Sequence, residues 1–132
     1  MTLKTLCLAA VLAAGVAAPA MAHHSFAMFD NEKTVNMKGT VKEFEWSNPH
    51  AWLYIMAVNE AGKPEEWAFE MASPLQLTSK GWKQDSLKPG DKISIAMHPM
   101  KDGSHGGSSV AVTLPNGTVL GQQPRPPAPA PG

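Results

Sequence analysis

The chain has 132 residues, and its 11 Lys and Arg side chains balance its 11 Asp and Glu side chains, so the formal net charge is zero. Proteins that bind nucleic acids or anionic membrane surfaces usually carry a basic excess or a basic stripe, so this balance argues against both classes. The length is sufficient for one domain.

The N-terminal residues 1–22 are typical of a secretory signal peptide. Lys4 gives a positive start, residues 5–18 are uncharged and consist mostly of Leu, Ala and Val, and residues 20–22 have the A-x-A form of a cleavage site. A membrane-spanning helix is the alternative, but it needs about 20 apolar residues, and this run is shorter. We therefore predict export to the periplasm, with no membrane insertion once residues 23–132 have been released.

Cleavage at this position removes Cys7, which is the chain's only cysteine. The mature protein is then unable to form a disulfide or a thiolate metal site. Any metal ion it binds must be held by His, Met, carboxylate or backbone ligands.

Short runs of alternating apolar and polar residues follow, and they indicate β-strands. The first three predicted strands are residues 34–46, 50–58 and 65–72. Gly39 lies in the middle of the first strand, which suggests a bulge or a sharp bend there. In the third strand, alternation directs Trp67, Phe69 and Met71 to the core and Glu66, Ala68 and Glu70 to water.

The period of the pattern changes after the third strand. Ser73 is predicted to cap a short helix whose first residue is Pro74, and Gly81 is predicted to end it. The remaining predicted strands are residues 91–98, with Ile93, Ile95 and Met97 inward, then 109–115 and 118–120, and a glycine-rich loop at 99–108 precedes the last two.

This order of elements predicts a mainly β fold, an OB-fold-like barrel of five to six strands with one short helix between strands three and four. A β-sandwich is the alternative, because it is built from similar short strands, but the position of the helix favours the barrel. We predict a signal peptide at 1–22, a single β-barrel domain at 23–121 and a disordered tail at 122–132. The tail contains five prolines, so a ligand for a proline-binding module is its alternative interpretation.

The positions of the histidines suggest a metal site. The chain has five, at positions 23, 24, 50, 98 and 105. His50 follows the loop between strands one and two, and His98 precedes the loop between strands four and five. These two loops border the ligand-binding face of OB-folds, so the imidazoles on them are candidates for a shared site.

Signal-peptide cleavage would make His23 the N-terminal residue, whose α-amine and imidazole together chelate one ion. Amine and imidazole nitrogens suit copper. Copper is also the divalent first-row ion that protein sites generally bind most tightly. We therefore predict a copper site with His23, His24, His50 and His98 as ligands. Because imidazole ligands must be neutral, binding is expected to weaken as the pH falls through about 6 to 6.5. The alternatives are a solvated terminus and, for His50, a hydrogen bond within its own turn.

Strand two carries a second candidate surface. Trp52 and Tyr54 share one face of the strand by period-two alternation, together with His50. This face is the alternative binding site, for a peptide, a glycan or a partner protein.

No catalytic motif is present: the sequence contains no GxSxG, no HExxH and no phosphate-binding loop. The scattered carboxylates form no recognisable acid–base pair, so the sequence does not predict an enzyme. A small periplasmic binding protein, with a metal ion, a small ligand or a partner protein as its ligand, is the predicted function.

Several blocks of sequence carry a family resemblance. They are HHSFAMFD (23–30), GTVKEFEWSNPHAW (39–52), WAFEMASP (67–74), GWKQDSLKPGD (81–91) and HPMKDGS (98–104). In this order they resemble an uncharacterised family of small secreted bacterial proteins, known as domain of unknown function 6152. The resemblance implies a periplasmic, single-domain β-barrel and no assigned activity.

A second similarity concerns architecture alone. Periplasmic copper and silver chaperones built on small OB-folds use a His on strand two and Met and Trp on strand three. Here His50 and Met56 lie on predicted strand two, and Trp67 and Met71 lie on predicted strand three. Fold-level similarity does not transfer a function, so the copper hypothesis depends on the residues themselves.

Overall fold

A computed structural model describes residues 26–121, which form a closed β-barrel. A 3-10 turn at Phe26–Met28 precedes six strands and one helix. The strands are β1 (Val35–Glu45), β2 (Trp52–Val58), β3 (Pro64–Glu70), β4 (Lys92–Pro99), β5 (Gly106–Thr113) and β6 (Val119–Gly121), and helix α1 (Pro74–Ser79) lies between β3 and β4.

The strand order confirms the predicted OB-fold-like barrel. Neighbouring strands follow the order β3-β2-β1-β4-β5-β6, and a parallel pairing between β3 and β5 closes the barrel. In the closing pair Phe69 lies opposite Gly107. Since β1 pairs with β4 through its first half and with β2 through its second, one long strand serves both halves of the barrel.

Alternate residues of the strands fill the interior. Leu53 and Ile55 of β2, Phe69 of β3, Ile95 of β4 and Val112 of β5 are at most 1% exposed. The predicted inward positions in β4 and the inward positions of Phe69 and Met71 are therefore confirmed. Residues 26–121 contain no cysteine, so no disulfide can stabilise this part of the chain. Burial of these side chains is therefore its main source of stability.

The irregularity in β1 lies two residues beyond the predicted position. The register with β2 shifts between Val41 and Glu43, so Gly39 itself is not the bulge. A Cβ at Gly39 would lie 2.6 Å from Ile55 Cδ1 and 2.9 Å from the Met56 carbonyl oxygen. Gly39 is therefore required for the close approach of β2 to β1 rather than for a bend.

The predicted glycine-rich loop is wrong at its C-terminal end, because β5 already begins at Gly106. A Cβ at Gly106 would lie 2.6 Å from the Ala68 carbonyl oxygen, and one at Gly107 would lie 2.4 Å from the His98 carbonyl oxygen. These two glycines let β5 fit between β3 and β4. They are strand residues that allow closure, although their composition is typical of a loop.

The cap of helix α1 matches its prediction. Ser73 is the N-cap, its hydroxyl accepts a hydrogen bond from Gln76 N, and Pro74 is the first helical residue. Gly81 follows the C-cap with a φ of +92°, which favours glycine. Beyond it, the buried Trp82 donates from Nε1 to the Gly121 carbonyl oxygen at 3.0 Å and so anchors β6.

The predicted signal peptide at 1–22 and the predicted tail at 122–132 lie outside the described residues, as do His23 and His24. Among residues 26–121, no helix has the length and apolar character needed to span a membrane.

Gly39→Ala is expected to destabilise the barrel by about 1–3 kcal/mol, because the added methyl group overpacks the contact between β1 and β2. Urea unfolding followed by tryptophan fluorescence measures the change. Lys38→Ala is the matched control, since Lys38 is exposed on the same strand and its substitution should cost less than about 0.5 kcal/mol. Equal stability of the two variants would contradict the close-approach role of Gly39.

Candidate functional site

The imidazole of His50 is held in one orientation by the residue that follows β3. Its Nδ1 donates a hydrogen bond to the Met71 carbonyl oxygen at 2.9 Å. The surrounding backbone is also fixed, since Met71 N donates to the Ala51 carbonyl oxygen and Ala51 N donates to that of Ala72. Because a carbonyl oxygen only accepts, Nδ1 carries the proton, and Nε2 presents its lone pair when the ring is neutral.

Glu70 is buried, which corrects the prediction that it faces water. It is only 8% exposed, although alternation places it on the outer side of the barrel, between Trp52 of β2 and Ser108 of β5. The segment before β1 and the loop between β4 and β5 cover this part of β3. They are joined by a hydrogen bond from Lys101 N to the Met28 carbonyl oxygen.

The covered region contains a cavity of about 180 Å³, which we name the Glu70 hollow. Its walls are mainly apolar, and Glu70 is the only carboxylate among the residues that line it. These are Met28, Phe29, Trp52, Ala68, Glu70, Met100, Ser104, His105, Gly106 and Gly107. The hollow lies on the β2–β3 face, beside the β4–β5 loop, where OB-folds bind their ligands.

His50 and Glu70 form the central polar pair of the site. His50 Nε2 lies 3.5 Å from Glu70 Oε1. A neutral imidazole would place a lone pair opposite a carboxylate oxygen, and two acceptors at this distance repel unless a positive charge lies between them. The pair is therefore suited to a cation, which is either the proton of an imidazolium or a bound ion.

The other two described histidines have different neighbours. His98 Nδ1 donates to the Lys33 carbonyl oxygen at 2.7 Å, which ties the end of β4 to the chain before β1. His105 stacks on Trp67, with ring centroids 4.8 Å apart, and its Nε2 lies 3.5 Å from Glu65 Oε2. Within residues 26–121, no three His, Cys, Asp or Glu side chains form a group that could hold a metal ion.

The predicted aromatic face lies beside the hollow. Trp52 and Tyr54 are stacked, with ring centroids 6.4 Å apart and planes inclined by 21°. Partial burial and then the negative charges of Glu45 and Glu43 raise the pKa of Tyr54 above its usual value. Glu66 adds to this effect, although Lys42 forms an ion pair with it. The aromatic face is thus set in acidic surroundings, which favour cationic ligands.

A larger and more open groove of about 560 Å³ lies elsewhere on the barrel, along the outer side of β1 and β4. Lys38 and Lys92 line it together with the hydroxyl groups of Thr40, Ser94 and Thr113. It contains no buried ionisable group, whereas the Glu70 hollow combines a buried carboxylate with an oriented imidazole. The ionisable groups of the Glu70 hollow, rather than its volume, therefore identify it as the candidate site.

Glu70 is the site residue that the sequence did not indicate. Its position in an alternating strand predicts exposure, and the segments that cover it are distant in sequence, at Met28 and Met100. The alternation of β3 is a local pattern, whereas the burial of Glu70 depends on segments far from it in the sequence. No local pattern therefore predicts this burial.

Comparison with known proteins places the chain in a family. A family model described as "Family of unknown function (DUF6152)" matches residues 10–109. The match covers most of the chain, so the protein belongs to this family, as the sequence blocks suggested. No curated protein and no solved structure matches it.

Tyr54 is the chain's only tyrosine, so its titration is directly observable. We expect its ultraviolet difference absorbance to show a midpoint above the usual value of about 10, because burial and the nearby carboxylates disfavour the phenolate. Glu45→Gln should lower the midpoint by removing one of these charges, whereas Glu60→Gln, in the exposed turn after β2, should leave it unchanged. A midpoint at or below 10 would contradict the acidic environment.

Proposed function

We propose that this member of the DUF6152 family is an exported periplasmic protein that binds copper at the edge of the Glu70 hollow. His50 and Glu70 would supply two ligands, and the N-terminal His23 and His24 would supply the others. The observation that carries this proposal is the separation of 3.5 Å between His50 Nε2 and Glu70 Oε1.

The spacing of this pair suits a shared metal ion. Imidazole nitrogen and carboxylate oxygen bind such ions at about 2.0–2.2 Å, which places neighbouring ligands about 2.8–3.1 Å apart in the square-planar geometry of Cu(II). The observed 3.5 Å would therefore shorten by a few tenths of an ångström on binding. The hydrogen bond from His50 Nδ1 to the Met71 carbonyl oxygen also supports ligation. Metal-binding histidines usually donate their second ring N–H in this way, which fixes the tautomer and the ring plane.

The chain that connects Met28 to the N-terminal histidines is long enough for them to reach this pair. Met28 lines the hollow, and only four residues lie between it and His23. An extended chain spans about 3.3–3.6 Å per residue, so a segment of this length reaches well beyond the dimensions of the hollow. Because removal of the predicted signal peptide would leave His23 with a free α-amine, export and ligation are linked in this proposal.

His98 is a weaker ligand candidate than its position in the sequence indicates. Its residue on β4 is two strands from Glu70, with Ser108 of β5 between them. It therefore serves better as a comparison residue than as a primary ligand.

Copper is favoured over other ions by the available ligands. Residues 23–132 contain no cysteine, and the ligands proposed here are amine, imidazole and carboxylate groups. Nitrogen-rich sites of this kind suit Cu(II), and the general order of divalent affinities places copper highest.

Blocking the N-terminal chelate should weaken Cu(II) binding by at least about tenfold. Protein secreted with its own leader is first shown by intact mass to begin at His23, and its affinity is then measured by competition with a chromogenic chelator. The comparison form carries Gly-Ser-Gly-Ser before His23, which moves both histidines away from the terminal amine. Equal affinities, or a secreted form that starts elsewhere, would remove the terminal ligands from the proposal.

His50→Ala and Glu70→Gln should each weaken Cu(II) binding by about tenfold or more, equivalent to at least ~1.4 kcal/mol. His98→Ala is the control and should change the affinity by less than about twofold. Circular dichroism melting would establish that all three variants are folded. Unchanged affinity in His50→Ala, or an equal loss in His98→Ala, would contradict the assigned site.

A further inference from the structure

Among residues 26–121, the buried carboxylate of Glu70 has one ionisable partner, which is His50. The side chain is 9% exposed, and the walls around it are largely apolar. The distance from His50 Nε2 to Glu70 Oε1 is 3.5 Å, which is longer than a normal hydrogen bond. Burial of a carboxylate is costly unless a cation or hydrogen-bond donors accompany it, so the hollow favours an incoming positive charge.

The dimensions of the hollow are those of a small organic group rather than of an ion alone. About 180 Å³ of space extends from the carboxylate between Trp52, Phe29, Met28 and Met100. Methylene groups gain from contact with such walls, and a cation gains further from the face of an indole. A straight alkyl chain with a terminal ammonium combines these features, as a lysine side chain does when its stem lies on apolar surface.

An ammonium suits this carboxylate better than a guanidinium does. Glu70 Oε1 already faces His50 Nε2, so the carboxylate does not present two free oxygens to the hollow. Guanidinium groups are recognised best by two parallel hydrogen bonds to both oxygens, whereas an ammonium acts as a compact point charge. The geometry therefore discriminates between the two basic side chains.

The surface outside the hollow favours a peptide over a free amine. The stacked Trp52 and Tyr54 continue the binding face along β2, and the carboxylates of Glu43 and Glu45 lie close enough to raise the pKa of Tyr54. An aromatic platform with negative charges beside it provides contacts for the residues that flank an inserted lysine.

We propose that the Glu70 hollow binds the side chain of a lysine presented by a partner peptide, with Glu70 contacting the ammonium and Trp52 contacting the methylene stem. This inference uses the metal-free protein and does not rest on copper. A metal ion at His50 and Glu70 would compete with the lysine, since both positive groups use the same carboxylate.

Fluorescence anisotropy in the presence of EDTA tests the inference. The probe is fluorescein-labelled Gly-Ser-Lys-Ser-Gly with a blocked C-terminus, and its matched control carries Nε-acetyl-lysine, which keeps the length and removes the charge. We expect the acetylated peptide to bind at least tenfold more weakly, and the arginine analogue to bind several-fold more weakly. Equal binding of lysine and acetyl-lysine peptides would overturn the ammonium assignment, and equal binding of the arginine peptide would overturn the single-point contact.

Variants of the full mature chain locate the bound lysine. Glu70→Gln and Trp52→Leu should each reduce the affinity for the lysine peptide at least fivefold, whereas Glu60→Gln in the exposed turn after β2 should not. Circular dichroism melting of each variant excludes unfolding as the cause. Unchanged binding in folded Glu70→Gln would overturn the proposal.

In a final experiment, free n-pentylamine competes with the labelled peptide. We expect it to displace the peptide only at concentrations at least tenfold above those of the unlabelled lysine peptide. Displacement at equal concentrations would overturn the peptide as the source of the ammonium. Because EDTA is present throughout, failure of copper binding leaves this result unaffected, and failure here leaves the copper titration unaffected.

Discussion

Closure of the barrel between β3 and β5 is the constraint on which the rest of the structure depends. The parallel pairing places Gly106 against Ala68 and Gly107 against Phe69, and a side chain at either glycine would collide with backbone atoms. Closure satisfies the backbone groups at the ends of both strands and seals the core around Phe69. It also brings the β4–β5 loop onto the outer side of β3, where the candidate site is formed.

The candidate site is a consequence of this cover. Glu70 projects outward by strand alternation, but the β4–β5 loop and the segment that contains Met28 prevent its full hydration. The neighbouring His50 donates from Nδ1 to the Met71 carbonyl oxygen, so a neutral ring has no N–H left for Glu70. The fold thus leaves a partly compensated negative charge at a fixed position, and this is an arrangement that a ligand can complete.

The two proposed ligands share one physical requirement, which is a positive charge beside Glu70. A metal ion would use the lone pair of His50 as well, whereas an ammonium would use the apolar walls and Trp52. Since both require the same carboxylate, binding of one must weaken binding of the other by the same factor in each direction. The metal-free form would then bind the peptide, and copper binding would weaken that interaction.

The sequence by itself determined the architecture and the orientation of most strand residues. Period-two alternation identified the inward positions of β4, and Ser73 with Pro74 marked the start of the helix, because these signals act over a few residues. It did not determine the burial of Glu70 or the start of β5 at Gly106. Both depend on contacts between segments more than 30 residues apart, such as Gly106 against Ala68 and Met28 beside Met100, and only the closed barrel brings such segments together.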